Sequence, residues 1–145
     1  MPDRHVLDIR RTFAAPADRV FAAFRDPALL KEWAAPDEHT NERVEQDFRV
    51  GGGYRREMRF PDGSLQVLVG EFREIDPPRR LVYTYRWETL PMGETLVEID
   101  LEEGPSGTEL HLVHSGFGTR DFADGHDTGW RQCLERLDAL LPVAS

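Results

Sequence analysis

From about residue 42 to residue 115 the hydrophobic pattern keeps a period of two and is broken only by short turns. Parallel strands need crossovers of a dozen or more residues, so strands joined this tightly must pair antiparallel. Val44, Gln46, Phe48 and Val50 share one face until the glycine run Gly51–Gly53 interrupts the strand. Tyr54, Met58 and Phe60 continue the alternation up to Pro61-Asp62-Gly63, a hairpin signal. Residues 65–75 form a long strand ended by Pro77-Pro78, with Leu65, Val67 and Val69 on one face and Leu68 and Phe72 on the other. Ile75 breaks parity with Phe72, which predicts a bulge near Arg73. A strand apolar on both faces is the kind a second subunit covers, so a homodimer stays open. Residues 80–87 set Leu81, Tyr83, Tyr85 and Trp87 against Val82, Thr84 and Arg86, and residues 95–101 group Val97, Ile99 and Leu101. After a turn at Gly104 to Gly107, the last strand carries Leu110, Leu112 and His114.

The period changes on both sides of this block. At the C-terminus Trp130, Cys133, Leu134, Leu137, Leu140 and Leu141 fall on one helical stripe, which Pro142 ends. At the N-terminus residues 6–13 read as a strand with Leu7, Ile9 and Phe13 on one face. Two short helices follow. The first opens near Pro16 with Asp18 in its first turn and carries Val20, Phe21 and Phe24; the second is capped by Asp26 and carries Leu29, Leu30 and Trp33. The broad stripe of the C-terminal helix must be buried, and the sheet is its one sufficiently large partner. A long antiparallel sheet coils, and the glycines at 51–53 and 70 let it bend further. The expected fold is an α+β domain spanning 1–145, in which a curved antiparallel sheet holds the last helix over an apolar interior, in the order β-α-α-β6-α.

Composition excludes several functions. A net charge of −9 repels phosphate, so nucleic acid is not expected as a partner; the arginine pairs 10–11, 55–56 and 79–80 each stand among acids and read as solvated strand faces and turns. No apolar run is long enough to span a membrane, and the stretch from Met1 to Phe13 lacks the apolar core of a secretory signal. With a single cysteine, the expected location is the cytoplasm.

Catalytic and metal chemistry find no pattern. His111 and His114 differ by three on a strand and so point to opposite faces, and no HExxH or CxxC is present. Neither a metal nor a cofactor is expected. No serine lies in a nucleophile elbow, Cys133 sits on the apolar stripe as a core residue, and the 51–53 glycines lead into a strand, not a phosphate-binding helix. No catalytic residue is assigned. Two polar residues on inward faces carry alternatives. His114 is either hydrogen-bonded at the sheet end or a polar contact for a ligand, and Arg11 is either paired with an acid or an anchor for a ligand carboxylate. The candidate cavity lining is therefore Arg11, Trp33, Phe48, Tyr54, Met58, Phe72, Tyr83, Tyr85, Trp87, His114 and Trp130.

Five segments in order, RTFAAPADRVFAAFRDPALLKEW, DFRVGGGYR, GEFREIDPPRRLVYTYRW, GTELHLVHSGF and the closing GW…L..L..LL, resemble the activator of heat-shock-protein-90 ATPase homologue family. That family is a branch of the START-like (SRPBCC, birch-pollen-allergen-like) superfamily. The resemblance implies a helix-grip fold over a hydrophobic cavity and, as the leading expectation, binding of a small hydrophobic molecule. It implies two others: a co-chaperone-like protein-binding domain, and a cyclase- or hydrolase-type enzyme. In the eukaryotic co-chaperone a separate N-terminal domain is important for chaperone contact, and 145 residues leave no room for it, so a chaperone partner is the weaker expectation.

Overall fold

The computed structural model describes residues 5–141. Strand β1 (His5–Phe13) leads into helices α1 (Ala17–Arg25) and α2 (Pro27–Trp33). Six strands follow, β2 (Thr40–Gln46), β3 (Gly53–Arg59), β4 (Leu65–Asp76), β5 (Arg80–Trp87), β6 (Thr95–Gly104) and β7 (Gly107–Phe117), and then helix α3 (Arg120–Leu140). The seven strands form one antiparallel sheet in the order β1-β7-β6-β5-β4-β3-β2. This is the helix-grip α+β fold expected from the element order. Pro142, expected to end the last helix, lies outside the described residues, as does the start of the Met1–Phe13 stretch.

Local chemistry explains the short elements. Asp26 accepts the Ala28 amide at 2.9 Å and caps α2, whose Pro27 stands at the first position, where a missing N–H costs nothing. Pro16 precedes α1 without a side-chain cap; the Ala17 amide instead donates to Glu103 of β6 at 2.7 Å. That carboxylate also sits well for the helix dipole.

Two features of the sheet depart from simple alternation. The β4–β5 register slips between Phe72 and Glu74, which places the expected bulge at Arg73. The strand expected through Val50 stops at Gln46, because residues 47–52 close a tight loop: the Gly52 amide donates to Arg49 O at 2.8 Å, and Gly51 has φ of 87°. A Cβ on Gly52 would collide with the Asp47 carbonyl, so a side chain there breaks the loop. Val50 is consequently 60 % exposed instead of facing inward with Val44. On β4, Val67 is buried within the chain itself; its amide donates to Thr89 Oγ1 at 3.0 Å, and its carbonyl accepts the Glu88 amide at 2.7 Å.

Helix α3 begins ten residues before Trp130, where the apolar stripe starts. Thr119 accepts the Phe122 amide at 3.2 Å and caps it. Gly125 and Gly129 obscure the helical pattern there, because glycine is a poor helix former and leaves gaps in a stripe. The C-terminal half fills the sheet: Leu134 and Leu137 are fully buried in the same core as Leu110, Leu112 and Phe13. Arg136, beside Leu137, is exposed but donates to Ala35 O at 2.8 Å, whereas Glu135 is simply exposed. Leu137→Ala should cost about 2–5 kcal/mol in denaturant unfolding, and Glu135→Ala should stay within about 0.5 kcal/mol. Equal costs would mean that the sheet does not grip the helix.

Candidate functional site

The N-terminal half of α3 stands off the sheet and leaves a cavity of about 360 Å³. Its helix wall is Phe122, Gly125, His126, Gly129, Trp130 and Cys133; its sheet wall is Arg56 and Met58 of β3, Leu68 of β4, and Tyr85 and Trp87 of β5. Ala34, Pro36 and His39, from the connection between α2 and β2, join Phe60 and Leu90 around the rest. The helix offers two glycines in this wall, where its other half offers leucines; Gly129 lets Pro36 pack close, since a Cβ there would come within 3.3 Å of the Pro36 ring.

Of the expected lining, Met58, Tyr85, Trp87 and Trp130 meet at this cavity. The others are placed elsewhere. Phe48, Tyr54, Phe72 and Tyr83 form a second aromatic cluster, with Phe48–Phe72 at 4.9 Å and Tyr54–Tyr83 at 5.5 Å between ring centres. Gly70 makes room for that cluster, since a Cβ there would strike the Tyr54 ring and the Thr84 carbonyl. Trp33 packs on Phe24 at 4.8 Å and donates its indole N–H to Ala23 O at 3.0 Å, which ties α2 to α1. Arg11 takes the paired alternative: it bonds Asp138 at 2.9 Å, near the far end of α3. Strand parity decides which residues face inward but not which end of the concave face they reach.

His114 does not line the cavity; it stands behind its wall, fully buried. Trp130 donates its indole N–H to His114 Nδ1 at 2.9 Å. An indole can only donate, so Nδ1 carries no proton and the hydrogen sits on Nε2, 2.7 Å from Thr95 Oγ1. The Thr95 hydroxyl passes its own hydrogen to Tyr85 O at 2.8 Å. A second pair repeats the device: Trp87 donates to His126 Nε2 at 3.0 Å, and His126 Nδ1, 2.8 Å from Phe122 O, must then be the protonated nitrogen. Both histidines are neutral, with opposite tautomers, and each orients one tryptophan of the cavity wall. Burial pushes both below the ordinary histidine value, and His126 also disfavours charge on His114. His111, on the opposite face, meets Asp8 at 2.8 Å.

Arg56 corrects the reading of the 55–56 pair as a solvated face. Arg55 is solvated, bonding Glu57 and Glu88 at 3.3 Å, but Arg56 points inward and is 6 % exposed. It has the same parity as Tyr54, Met58 and Phe60, the signal that could have found it. Its guanidinium carbon lies 5.1 Å from the centre of the Tyr54 ring, and its Nε has no hydrogen-bond partner. No carboxylate among the described residues lies within 4.0 Å of it, whereas the neighbouring Arg55 is paired with Glu57 and Glu88. Burial pushes the Cys133 thiol up to about 12, so it stays protonated. The described residues hold no cluster of three metal-ligating side chains, and no described helix is long and apolar enough to cross a membrane.

The two histidines make stability depend on pH. Their folded pKa values lie below the unfolded value of 6.5, so below that pH the unfolded chain binds the extra protons. Their contribution is complete above pH 6.5 and is lost as pH falls towards the folded values. Each such proton costs about 1.4 kcal/mol per pH unit. Urea unfolding from pH 7.5 to about pH 5.5 should show stability declining below pH 6.5. His126→Gln, whose amide can still accept from Trp87 and donate to Phe122, should make the decline shallower. A flat profile in both proteins would contradict the neutral, locked histidines.

Comparison with known proteins agrees with this fold. A protein of Chromobacterium violaceum is 30% identical and superposes with a TM-score of 0.88 over 94% of this chain and 96% of its own. The AHSA1 protein of Silicibacter pomeroyi is 26% identical, with a TM-score of 0.85 over 97% of this chain and 100% of its own. An uncharacterized protein of Schizosaccharomyces pombe is 24% identical over 106 residues; the match takes in 72% of this chain but only 28% of that protein's length. The family model described as "Activator of Hsp90 ATPase homolog 1-like protein" matches residues 14–142, and the chain belongs to that family.

Proposed function

We propose that the protein binds a small hydrophobic molecule in the cavity under α3. Family membership supports a domain of ligand-binding type. The observation that carries the reading is the cavity itself, in whose helix wall Gly125 and Gly129 stand between Phe122, His126 and Trp130. Two helix-interior glycines cost about 1 kcal/mol each relative to alanine. A core selected only for stability would have filled the space, since protein interiors are otherwise close-packed. The volume of about 360 Å³ is within the range of small-molecule sites. Enzymatic chemistry draws less support from these walls. His126 has both ring nitrogens engaged, Cys133 is held as the thiol, and Asp121, the lining carboxylate, is exposed.

The family description favours a second reading, a protein-binding role towards a chaperone. An Hsp90 ATPase assay separates the two. The cavity reading predicts an unchanged rate, and clear stimulation by this chain would favour the chaperone role.

The cavity reading has its own test. Trp87 and Trp130 line the site, so a lipophilic probe should quench tryptophan fluorescence saturably. A Cβ on Gly125 meets nothing within 4 Å, so Gly125→Leu places its side chain at the cavity without a backbone clash. That variant should bind the probe about tenfold or more weakly. It should unfold no more easily than the parent, because leucine is the better helix former. Undiminished binding by Gly125→Leu would place the probe elsewhere.

A further inference from the structure

We infer that Arg56 is the anchor for a carboxylate, so that the cavity takes an amphipathic organic acid whose apolar body lies against Trp87 and Trp130. The inference rests on the cavity reading and adds the class of ligand to it.

Arg56 combines three properties rarely found together: it is 6 % exposed, it lines the cavity, and it has no carboxylate partner among the described residues. Arginine does not give up its proton in a protein, so burial cannot neutralise it. A buried charge without a partner is costly, and proteins pair such groups or leave them for a ligand. The other inward or half-buried arginines follow the first course. Arg11 bonds Asp138 at 2.9 Å, and Arg80 bonds Glu74, Glu98 and Asp100 at 2.8–3.1 Å.

Among the described residues no carboxylate stands within ion-pair distance of Arg56. Tyr54 gives it an aromatic face at 5.1 Å, which attracts a cation but does not neutralise it. Burial keeps Tyr54, Tyr83 and Tyr85 in their neutral phenol forms despite the nearby guanidinium. Arg56 Nε is buried without a hydrogen-bond partner, and the buried Tyr83 hydroxyl, a neutral group, stands beside the guanidinium. The planar guanidinium fork suits a carboxylate, which accepts two parallel N–H bonds. Among the described residues Arg56 is the one permanent cation lining the cavity, and the exposed Asp121 lines it too, so the site fits a single negative charge better than a phosphate dianion. Beyond it Met58, Phe60, Leu68, Trp87, Leu90 and Trp130 present apolar surface, so the rest of the molecule is hydrophobic.

The test uses two acid–amide pairs of nearly equal shape, 1-naphthaleneacetic acid with its amide and decanoic acid with decanamide, titrated calorimetrically at pH 7.5. The parent protein should bind the acid of at least one pair about tenfold or more tightly than its amide. Arg56→Met should abolish that preference while leaving amide affinity within about twofold, and Arg56→Lys should keep part of it. Arg56→Met should also unfold at a denaturant midpoint no lower than the parent's, because it removes an uncompensated buried charge. Equal affinity for acid and amide in the parent overturns the anchor and leaves the cavity reading standing. A preference that survives Arg56→Met, or a midpoint well below the parent's, likewise overturns it. If no member of either pair binds, the cavity reading falls and the anchor with it.

Discussion

One helix cannot fill the whole concave side of a seven-stranded sheet unless its side chains are large along its entire length. Helix α3 is leucine-rich at one end and interrupted by Gly125 and Gly129 at the other. Leu134, Leu137 and Leu141 drive its C-terminal half against β1 and β7, where Phe13, Leu110 and Leu112 complete a dry core. The same rod then carries Phe122, Gly125, His126, Gly129 and Trp130 along the cavity, opposite Arg56, Met58, Leu68, Tyr85 and Trp87 of β3, β4 and β5. Stability and vacancy are thus two ends of one element. The apolar contacts at Leu137 fix the height of the helix above the sheet, and that height fixes the depth of the cavity.

The cavity wall needs more than apolar contact to hold its shape. Tryptophan brings a polar N–H that must be satisfied when buried, and here each wall tryptophan has a histidine acceptor. The chain from Trp130 through His114 and Thr95 to Tyr85 O links α3 to β7, β6 and β5, so the helix is tied to the sheet at the cavity as well as at the leucine end. Arg56 stands at the seam between this wall and the Tyr54–Phe72–Tyr83 cluster, the position from which a charge can face the cavity while its stem stays packed.

Much of this was legible in the sequence because period-two alternation and short turns dictate an antiparallel sheet, and a helical stripe must then be gripped by it. The bulge at Arg73 followed from the parity break at Ile75, and the inward positions of Tyr85, Trp87 and Met58 followed from alternation. Parity has no depth, however: Tyr83 and Tyr85 share a face, yet one joins the inner cluster and the other the cavity. The first half of α3 was hidden because Gly125 and Gly129 interrupt the apolar stripe, although both line the site. Arg56 was hidden because charge composition suggested a solvated face where alternation pointed inward. His126 and its bond to Trp87 join residues 39 apart, and a contact of that kind exists only once the helix lies on the sheet.

Methionine methyl groups give the most direct test of the central claim that the space under α3 receives an apolar molecule. The chain has three methionines; Met58 lines the cavity, and Met92 is buried but is not one of the lining residues. With 13C-methyl methionine labelling, NMR titration with a small aromatic compound should shift the Met58 methyl strongly through the ring current and leave Met92 nearly unmoved. A Met58 signal that stays in place at saturating compound, or one that moves no more than Met92, would contradict a cavity open to ligands.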